Sequence, residues 1–347
     1  MKNKPLQGLR AYAIALVVGE HTEFLMQGGL ANDIFYCLSG FFAVNPFSTS
    51  DFQILSFKDA LNFYKKKAMH ILPPYILFLL LLKLLTGEAW YTWKAIFRAL
   101  IFIECPAHLW FIQQIVFMYL LTPLIILVLQ CINHVISINE YIVDVVVCLI
   151  LSWLTKTYLT AKIFYLLGNG DHQALRIWQY LIGMAFGYIY KYIRQKEIKI
   201  IPSIAGGICW ILLIFSVLSS NIFLARIDVI FSDYLIGYRM PVICTLLSGV
   251  FILMFALDQK SYIAKIFSSK YMVFLGNISV ELYIVHWYLR GGGRVVPHHF
   301  QKFLIVLGIS SCVAYVWQKA IGELCDKGKI IIVKYAKMLN VRVNTRQ

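Results

Sequence analysis

The sequence predicts an all-α fold, a polytopic transmembrane helix bundle of about ten spans with both termini in the cytoplasm. The first observation is composition: of 347 residues, 60% are hydrophobic and 14% are charged, with a mean hydropathy of +0.72. A soluble domain is nearer to about 45–50% apolar and about 25% charged residues. The second observation is length, because about 20 residues per spanning helix plus loops leave room for about ten spans.

Ten apolar stretches of helical length supply the predicted spans. They lie near residues 9–26, 30–47, 71–86, 109–130, 141–158, 175–192, 202–219, 238–257, 273–290 and 301–322. Residues 87–108 interrupt this pattern with charged residues and proline, and we interpret them as a surface or re-entrant segment that could hide another helix. The chain then divides into a membrane-embedded domain of residues 1–326 and a short basic tail of residues 327–347, a candidate interfacial helix.

The net charge of +15 is distributed unevenly over the loops. Basic residues concentrate in alternate loops, on the side that holds both termini, which is the positive-inside bias of a multi-pass cell (inner) membrane protein. We therefore expect a lipid bilayer as the partner of this chain, and no nucleic acid. The basic loop of residues 290–302 is the exception, because it is assigned to the outside, where it could bind an anionic acceptor or lipid or simply be tolerated.

The first span and the cysteines add two further expectations. This span carries charged residues and lacks a clean apolar core that ends in small residues, so we expect an uncleaved signal anchor. The eight cysteines are scattered and form no C-x-x-C pair, which predicts neither a zinc site nor a disulfide framework. The sequence predicts no metal and no bound cofactor.

Arg10 and His21 are the most informative residues of the first span. His21 follows Arg10 by eleven positions, so both side chains lie on one face of a helix, about 16 Å apart along its axis. The guanidinium is then near one membrane surface, and the imidazole is about halfway through a ~30 Å hydrocarbon core. Ionisable groups at such depth usually mark a site. The alternative is a locally hydrogen-bonded histidine and an arginine that snorkels to the interface.

The second span returns to the membrane close to the end of the first. Asp33 lies near its beginning, where the carboxylate could orient the His21 imidazole or cap the new helix. Glu20 is a second carboxylate beside the same histidine. The pair Ser39-Gly40 lets another backbone approach closely, and plain helix packing explains it equally well.

A basic cluster precedes the third span. Lys65, Lys66, Lys67 and His70 stand beside a helix start, which suits a polyanionic ligand such as the phosphates of a coenzyme. The alternative is an ordinary topology signal at the lipid headgroup layer.

Further polar and aromatic residues lie in the later spans. Trp110, next to His108, is expected at an external membrane boundary, where tryptophan usually belongs to an aromatic belt. Glu281 and His286 fall within the ninth span. Two more ionisable groups at depth favour a polar cavity inside the bundle.

An ordered series of these residues resembles the acyltransferase-3 family of integral membrane O-acyltransferases. The resemblance runs over most of the chain and rests on five short blocks: Arg10 with His21, residues 33–41, residues 66–75, residues 109–111 and residues 276–287. Each block is loose, whereas their order is specific. The chain departs from the family where lysines and His70 replace arginines, which removes the bidentate fork of the guanidinium, where Asn32 precedes Asp33, and at Val280-Glu281.

The resemblance implies transfer of an acyl group, usually acetyl, from a cytoplasmic acyl-CoA to a hydroxyl of an extracytoplasmic glycan. The glycan could be a lipopolysaccharide O-antigen, an exopolysaccharide, peptidoglycan or a secreted oligosaccharide. His21 would act as general base or as nucleophile, and Arg10 would hold CoA phosphate or stabilise the thioester oxyanion. The expected sites are catalytic His21, Arg10 and Asp33; acyl-CoA-binding Lys65, Lys66, Lys67, His70 and Ser39; and acceptor or cavity residues Glu20, Trp110, Glu281 and His286.

Two other functions fit some of these residues. A proton-coupled transporter or glycan flippase would use intramembrane histidine and carboxylates as relay groups, but the sequence contains no evident inverted repeat. A purely structural scaffold would carry costly intramembrane charges without a use.

Overall fold

The computed structural model of the chain describes residues 3–25, 28–47, 55–86, 92–104, 106–136, 138–159, 176–218, 240–290 and 298–344, and every regular element within them is helical. The helices are α1 (Lys4–His21), α2 (Gly28–Ala43), α3 (Phe57–Thr86), α4 (Trp93–Leu100), α5 (Trp110–Val135), α6 (Glu140–Leu154), α7 (Ile177–Gln195), α8 (Pro202–Leu218), α9 (Met240–Leu257), α10 (Tyr262–Phe267), α11 (Lys270–Asn277), α12 (Ser279–Leu289) and α13 (His299–Asn344). A 3₁₀ turn (Ala107–Leu109) precedes α5, and a π-helical turn (Thr155–Leu159) follows α6.

The all-helical prediction is confirmed for the described residues, and each of the ten predicted stretches overlaps a helix. By length and composition, four helices in the described part can cross a membrane: α3, α5, α6 with its π turn, and α13, or five if the bent pair α11 and α12 counts as one span. Helix α1 carries Lys4, Arg10 and Glu20, and α2 is only 16 residues long. Ten spans and cytoplasmic termini therefore stay predictions.

The structure corrects two predicted spans. The first was expected to continue to residue 26, but α1 ends at His21, because the Gly19 carbonyl accepts hydrogen bonds from the N–H groups of Phe24 and Leu25 and Glu23 adopts a φ of 60°. The ninth span is not one helix, since α11 and α12 are bent by 76° around Ile278. His21 is thus the last residue of its helix, beside a broken helix.

The two segments with uncertain predictions each contain helix within their described residues. Residues 87–108 include α4, whose eight residues are too short to span; Ile96 and Ala99 are buried while Trp93 and Phe97 are exposed, as in a surface helix. In the tail, α13 runs without interruption to Asn344, so the candidate interfacial helix is not a separate element.

Helix α1 lies in the interior of the bundle. Its first half, with Leu6 and Leu9, packs into one hydrophobic cluster, and its second half, with Ile14 and Val18, packs into another. Gly276 of α11 allows close contact with α1, because a Cβ there would overlap the Gln7 carbonyl oxygen. Between α2 and α7, a Cβ on Gly40 would overlap the carbonyl oxygen of Tyr180. The close backbone approach expected at Ser39-Gly40 is therefore present.

Cysteine labelling tests the predicted orientation. In a chain whose own cysteines are replaced, Ser56→Cys, Ser269→Cys and Asn344→Cys should react with an impermeant maleimide only after permeabilisation, because lysine-rich loops stay in the cytoplasm. Gly29→Cys is the control that should react in intact cells, since a Cβ at this position meets open space. Labelling of any of the first three positions in intact cells would contradict the orientation.

Candidate active site

A cavity opens between α1, α2, α3, α5 and α12. The volume that water molecules can occupy is about 70 Å³, and the empty space including its open mouth is about 610 Å³. Its polar lining consists of Arg10, Ser39, His70, Tyr119, Ser279 and Tyr283. The structure thus brings together Arg10, Ser39 and His70, three residues predicted from separate blocks of the sequence.

Arg10 is the charged group of this cavity. The guanidinium carbon lies 5.4 Å from the ring centroid of Phe42, a cation–π distance. Within the described part of the chain no carboxylate pairs with Arg10. A half-buried guanidinium without a counter-ion is a binding point for an anionic ligand.

The basic cluster was expected beside a helix start, but it lies inside α3, which begins at Phe57. The Lys67 ammonium lies 4.4 Å from the ring centroid of Tyr119, which itself lines the cavity. Lys65 and Lys66 are exposed on α3 and do not line it. None of the three lysines lines the cavity, but Lys67 contacts one of its lining residues, whereas Lys65 and Lys66 lie on the solvent-exposed surface.

His21 lies in a separate aromatic cluster at the end of α1. Its ring centroid is 5.2 Å from that of His286 and 5.0 Å from that of Trp287, both on α12. His108, from the 3₁₀ turn, stacks on Trp287 with centroids 5.8 Å apart, and the Arg290 guanidinium carbon lies 3.3 Å from the Trp287 centroid. We call these five residues the histidine cluster.

The hydrogen bonds of the histidine cluster leave several ring nitrogens free. His286 donates from Nδ1 to the Tyr283 carbonyl oxygen at 2.7 Å, which leaves a lone pair on Nε2 in the neutral ring. The Nε2 atoms of His286 and His108 are both buried without a hydrogen-bond partner. The His21 ring is half-buried and makes ring contacts but no hydrogen bond to the described residues. It can therefore accept a proton from a group that enters beside it.

Asp33 does not serve either of its predicted purposes. It is the sixth residue of α2, so it cannot cap a helix that begins at Gly28, and Glu20 does so instead by accepting the Gly28 N–H at 2.9 Å. The Asp33 carboxylate accepts a hydrogen bond from Gln179 and pairs with Arg176 at 3.5 Å. These partners lie far along the chain, and among the described residues Asp33 makes no contact with His21.

Trp110 and Glu281 also lie outside the histidine cluster. The Arg176 guanidinium carbon is 5.5 Å from the Trp110 ring centroid, so this tryptophan belongs with the Asp33 ion pair. Glu281 is buried against α13, where Oε1 accepts from Gln318 at 3.3 Å. Neither residue lines the cavity around Arg10.

The sequence interpretation missed part of the cluster. His108 and Trp287 fall in or beside the sequence blocks but have no predicted role. Arg290 was considered only as part of the basic loop of residues 290–302, which could bind an anionic acceptor or lipid or simply be tolerated. The usable signal was helical spacing, because Arg290 follows His286 by four positions and therefore shares its helix face. Trp287 could be connected with His108 only through the fold.

One comparison with known proteins identifies a family. A family model described as an acyltransferase domain, Acyl_transf_3, matches residues 3–317 of the 347-residue chain. No curated protein and no solved structure matches the chain significantly.

Proposed function

The chain belongs to the acyltransferase-3 family, and we propose that it moves an acetyl group from cytoplasmic acyl-CoA to a hydroxyl of an extracytoplasmic glycan. One observation carries this proposal. A single helix, α1, holds an unpaired arginine in an open cavity and ends at a histidine with free ring nitrogens. Over eleven positions these side chains are about 16 Å apart along the axis, which separates a donor-binding region from a reaction centre.

The cavity suits the donor. Coenzyme A carries several phosphate charges on one end and a long flexible arm that ends in the thioester. Arg10 and Lys67 supply positive charge at the cavity, and the exposed Lys65 and Lys66 add to it from the adjacent surface. Ser39 and His70 line the same space and provide hydrogen-bonding groups for the arm. In this arrangement the phosphates of coenzyme A bind near the lysines of α3, and the thioester points toward α12.

His21 suits the chemical step. Acting as general base, its free nitrogen takes the proton of the glycan hydroxyl while the oxygen attacks the thioester carbonyl. The new C–O bond forms, the C–S bond breaks, and the thiolate of coenzyme A receives the proton from His21. If His21 instead attacks first, an acyl-imidazole forms and the hydroxyl then displaces it. Both routes give one glycan ester and one free thiol per acyl-CoA.

Arg290 is the cation closest to this chemistry in the described part of the cluster. Its guanidinium covers Trp287, whose ring in turn contacts His21. We assign it to stabilise the negative oxygen of the tetrahedral intermediate, which is the group that gains charge in the transition state. His286 holds the other side of the His21 ring by stacking.

The acceptor is expected to enter where α1 ends. Glu23 and His299 lie there with their carboxylate and imidazole 3.7 Å apart, and both side chains are exposed. Lipopolysaccharide O-antigen, exopolysaccharide and peptidoglycan each present the required hydroxyl. The predicted positive-inside orientation puts this end on the outer face of an inner membrane.

The test is release of free thiol from acetyl-CoA by purified protein in detergent. Envelope polysaccharide from the native cells, stripped of O-acyl esters with mild alkali, serves as acceptor. We expect at least one thiol for each acetyl ester formed on the polysaccharide, and any excess thiol measures hydrolysis of acetyl-CoA. A transporter or flippase would leave acetyl-CoA intact, and that result would contradict the proposed function.

A further inference from the structure

We propose that Tyr283 is the gate between the donor cavity and His21, a positioning residue that admits the acyl group and keeps water from it. This inference rests on the proposed acyltransferase function and adds to it a residue that controls how the thioester reaches the histidine. Tyr283 lies on α12, within the block that resembles the family, but the sequence gives it no such role.

Tyr283 belongs to both parts of the site. Its side chain lines the cavity that contains Arg10, and only 7% of the residue is exposed. Its ring centroid lies 5.4 Å from that of Phe111 and 5.7 Å from that of His286. Its hydroxyl donates to the carbonyl oxygen of His108 at 2.6 Å. One face of the residue therefore meets the donor space and the other meets the histidine cluster.

The order of residues along α12 places Tyr283 between the two. Ser279 and Val280 line the cavity at the beginning of the helix. Tyr283 follows one turn later, and His286 and Trp287 contact His21 in the turn after that. From Ser279 to His286 the axial distance is about 10 Å. An acyl group that moves along α12 from the cavity to His21 passes Tyr283 on the way.

The Tyr283 side chain is held by contacts that can break at small energetic cost. The hydroxyl makes a neutral hydrogen bond to a backbone carbonyl, and the ring is tilted, not stacked, against Phe111 and His286. A neutral hydrogen bond contributes little net free energy. While closed, Tyr283 separates the thioester from the half-buried, solvent-accessible end of α1. A lid of this kind protects a reactive intermediate from hydrolysis until the acceptor is in place.

Loss of the gate predicts a specific side reaction. Without an acceptor, water would attack the thioester carbonyl, the C–S bond would break, and acetate and coenzyme A thiol would be released. The ratio of hydrolysis to glycan esterification therefore measures gating. A general loss of stability would lower both rates together and leave the ratio unchanged.

The experiment compares Tyr283→Phe with Tyr75→Phe in purified full-length protein, with acetyl-CoA and the alkali-treated polysaccharide. Tyr75 is the matched control, because it is also buried and its hydroxyl also donates to a backbone carbonyl, that of Ala99, at 3.0 Å, away from the cavity. We expect Tyr283→Phe to raise the ratio of hydrolysis to esterification roughly 2–10-fold, the range given by loss of one neutral hydrogen bond. Tyr75→Phe should keep the wild-type ratio.

A second variant covers the case in which the phenyl ring alone keeps the gate closed. Tyr283→Leu removes the ring as well and should raise the ratio further. Wild-type ratios in both Tyr283 variants, with an active wild type, would overturn the gate and leave the acyltransferase function intact. A wild-type protein that neither hydrolyses acetyl-CoA nor esterifies the polysaccharide would overturn the proposed function, and the gate with it.

Discussion

Replacing His21 with alanine should lower acyl transfer by ~10²–10⁴-fold, the usual contribution of a general base. The protein should still insert and fold, because His21 is the last residue of α1 and its ring makes contacts but no hydrogen bond to the described residues. The measurement is the initial rate of acetyl ester formation on the stripped polysaccharide, normalised to correctly folded protein on size-exclusion chromatography.

Two variants make the His21 result interpretable. His134→Ala removes an exposed histidine at the far end of α5 and should leave the rate unchanged. His21→Gln keeps a polar side chain of similar size but cannot act as the base, so it should be as inactive as the alanine variant. A folded His21→Ala protein with more than roughly a few per cent of wild-type activity would exclude His21 as the base or nucleophile.

Replacing Arg10 with alanine should raise the KM for acetyl-CoA by roughly 10-fold or more, as expected for loss of hydrogen bonds to a charged group. Within the described residues no carboxylate neutralises this guanidinium, so its charge is available to the donor. The KM of Arg10→Lys should fall between those of the wild type and Arg10→Ala, because lysine keeps the positive charge but loses the planar guanidinium. Steady-state kinetics at two ionic strengths measure this, since salt weakens the wild-type contact more than that of the alanine variant.

The exposed lysines provide the comparison for Arg10. Lys66→Ala should change KM less than Arg10→Ala, because Lys66 does not line the cavity. If Lys65, Lys66 and Lys67 act only as a topology signal, neutralising them lowers insertion but leaves KM unchanged in the inserted fraction. An Arg10→Ala enzyme with unchanged KM and lowered kcat would contradict a donor-binding role and place Arg10 in the chemical step.

Helix positions were largely predictable, whereas breaks and ends were not. Long apolar stretches have few alternatives to helix in a membrane, since every backbone polar group must be satisfied internally. The early end of α1 depends on a turn in which the Gly19 carbonyl accepts several N–H groups, and nothing in the hydropathy pattern marks it. The break at Ile278 lies two residues after Gly276, which lets α11 lie against the backbone of α1 at Gln7. Such tertiary contacts override a continuous apolar pattern.

The candidate site was partly predictable for a related reason. Helical spacing put Arg10 and His21 on one face, and the ordered blocks included the helices that surround them. The partner of Asp33 was not predictable, because Arg176 lies 143 positions away and only the packing of α2 against α7 brings it close. The position of His108 over Trp287 depends in the same way on the turn before α5. Spacing within a helix is readable from sequence, but contacts between distant helices are not.

Transfer across a sealed membrane tests the central claim most directly. Inside-out vesicles would hold the stripped polysaccharide in the lumen, with acetyl-CoA carrying a labelled acetyl group added to the outer buffer, which faces the cytoplasmic surface. We predict labelled ester on the lumenal polysaccharide and at least an equal amount of free thiol outside, with both absent for His21→Ala. The proposal would be contradicted if ester formed only when donor and polysaccharide are on the same side of the membrane. It would also be contradicted if His21→Ala vesicles formed as much lumenal ester as the wild type.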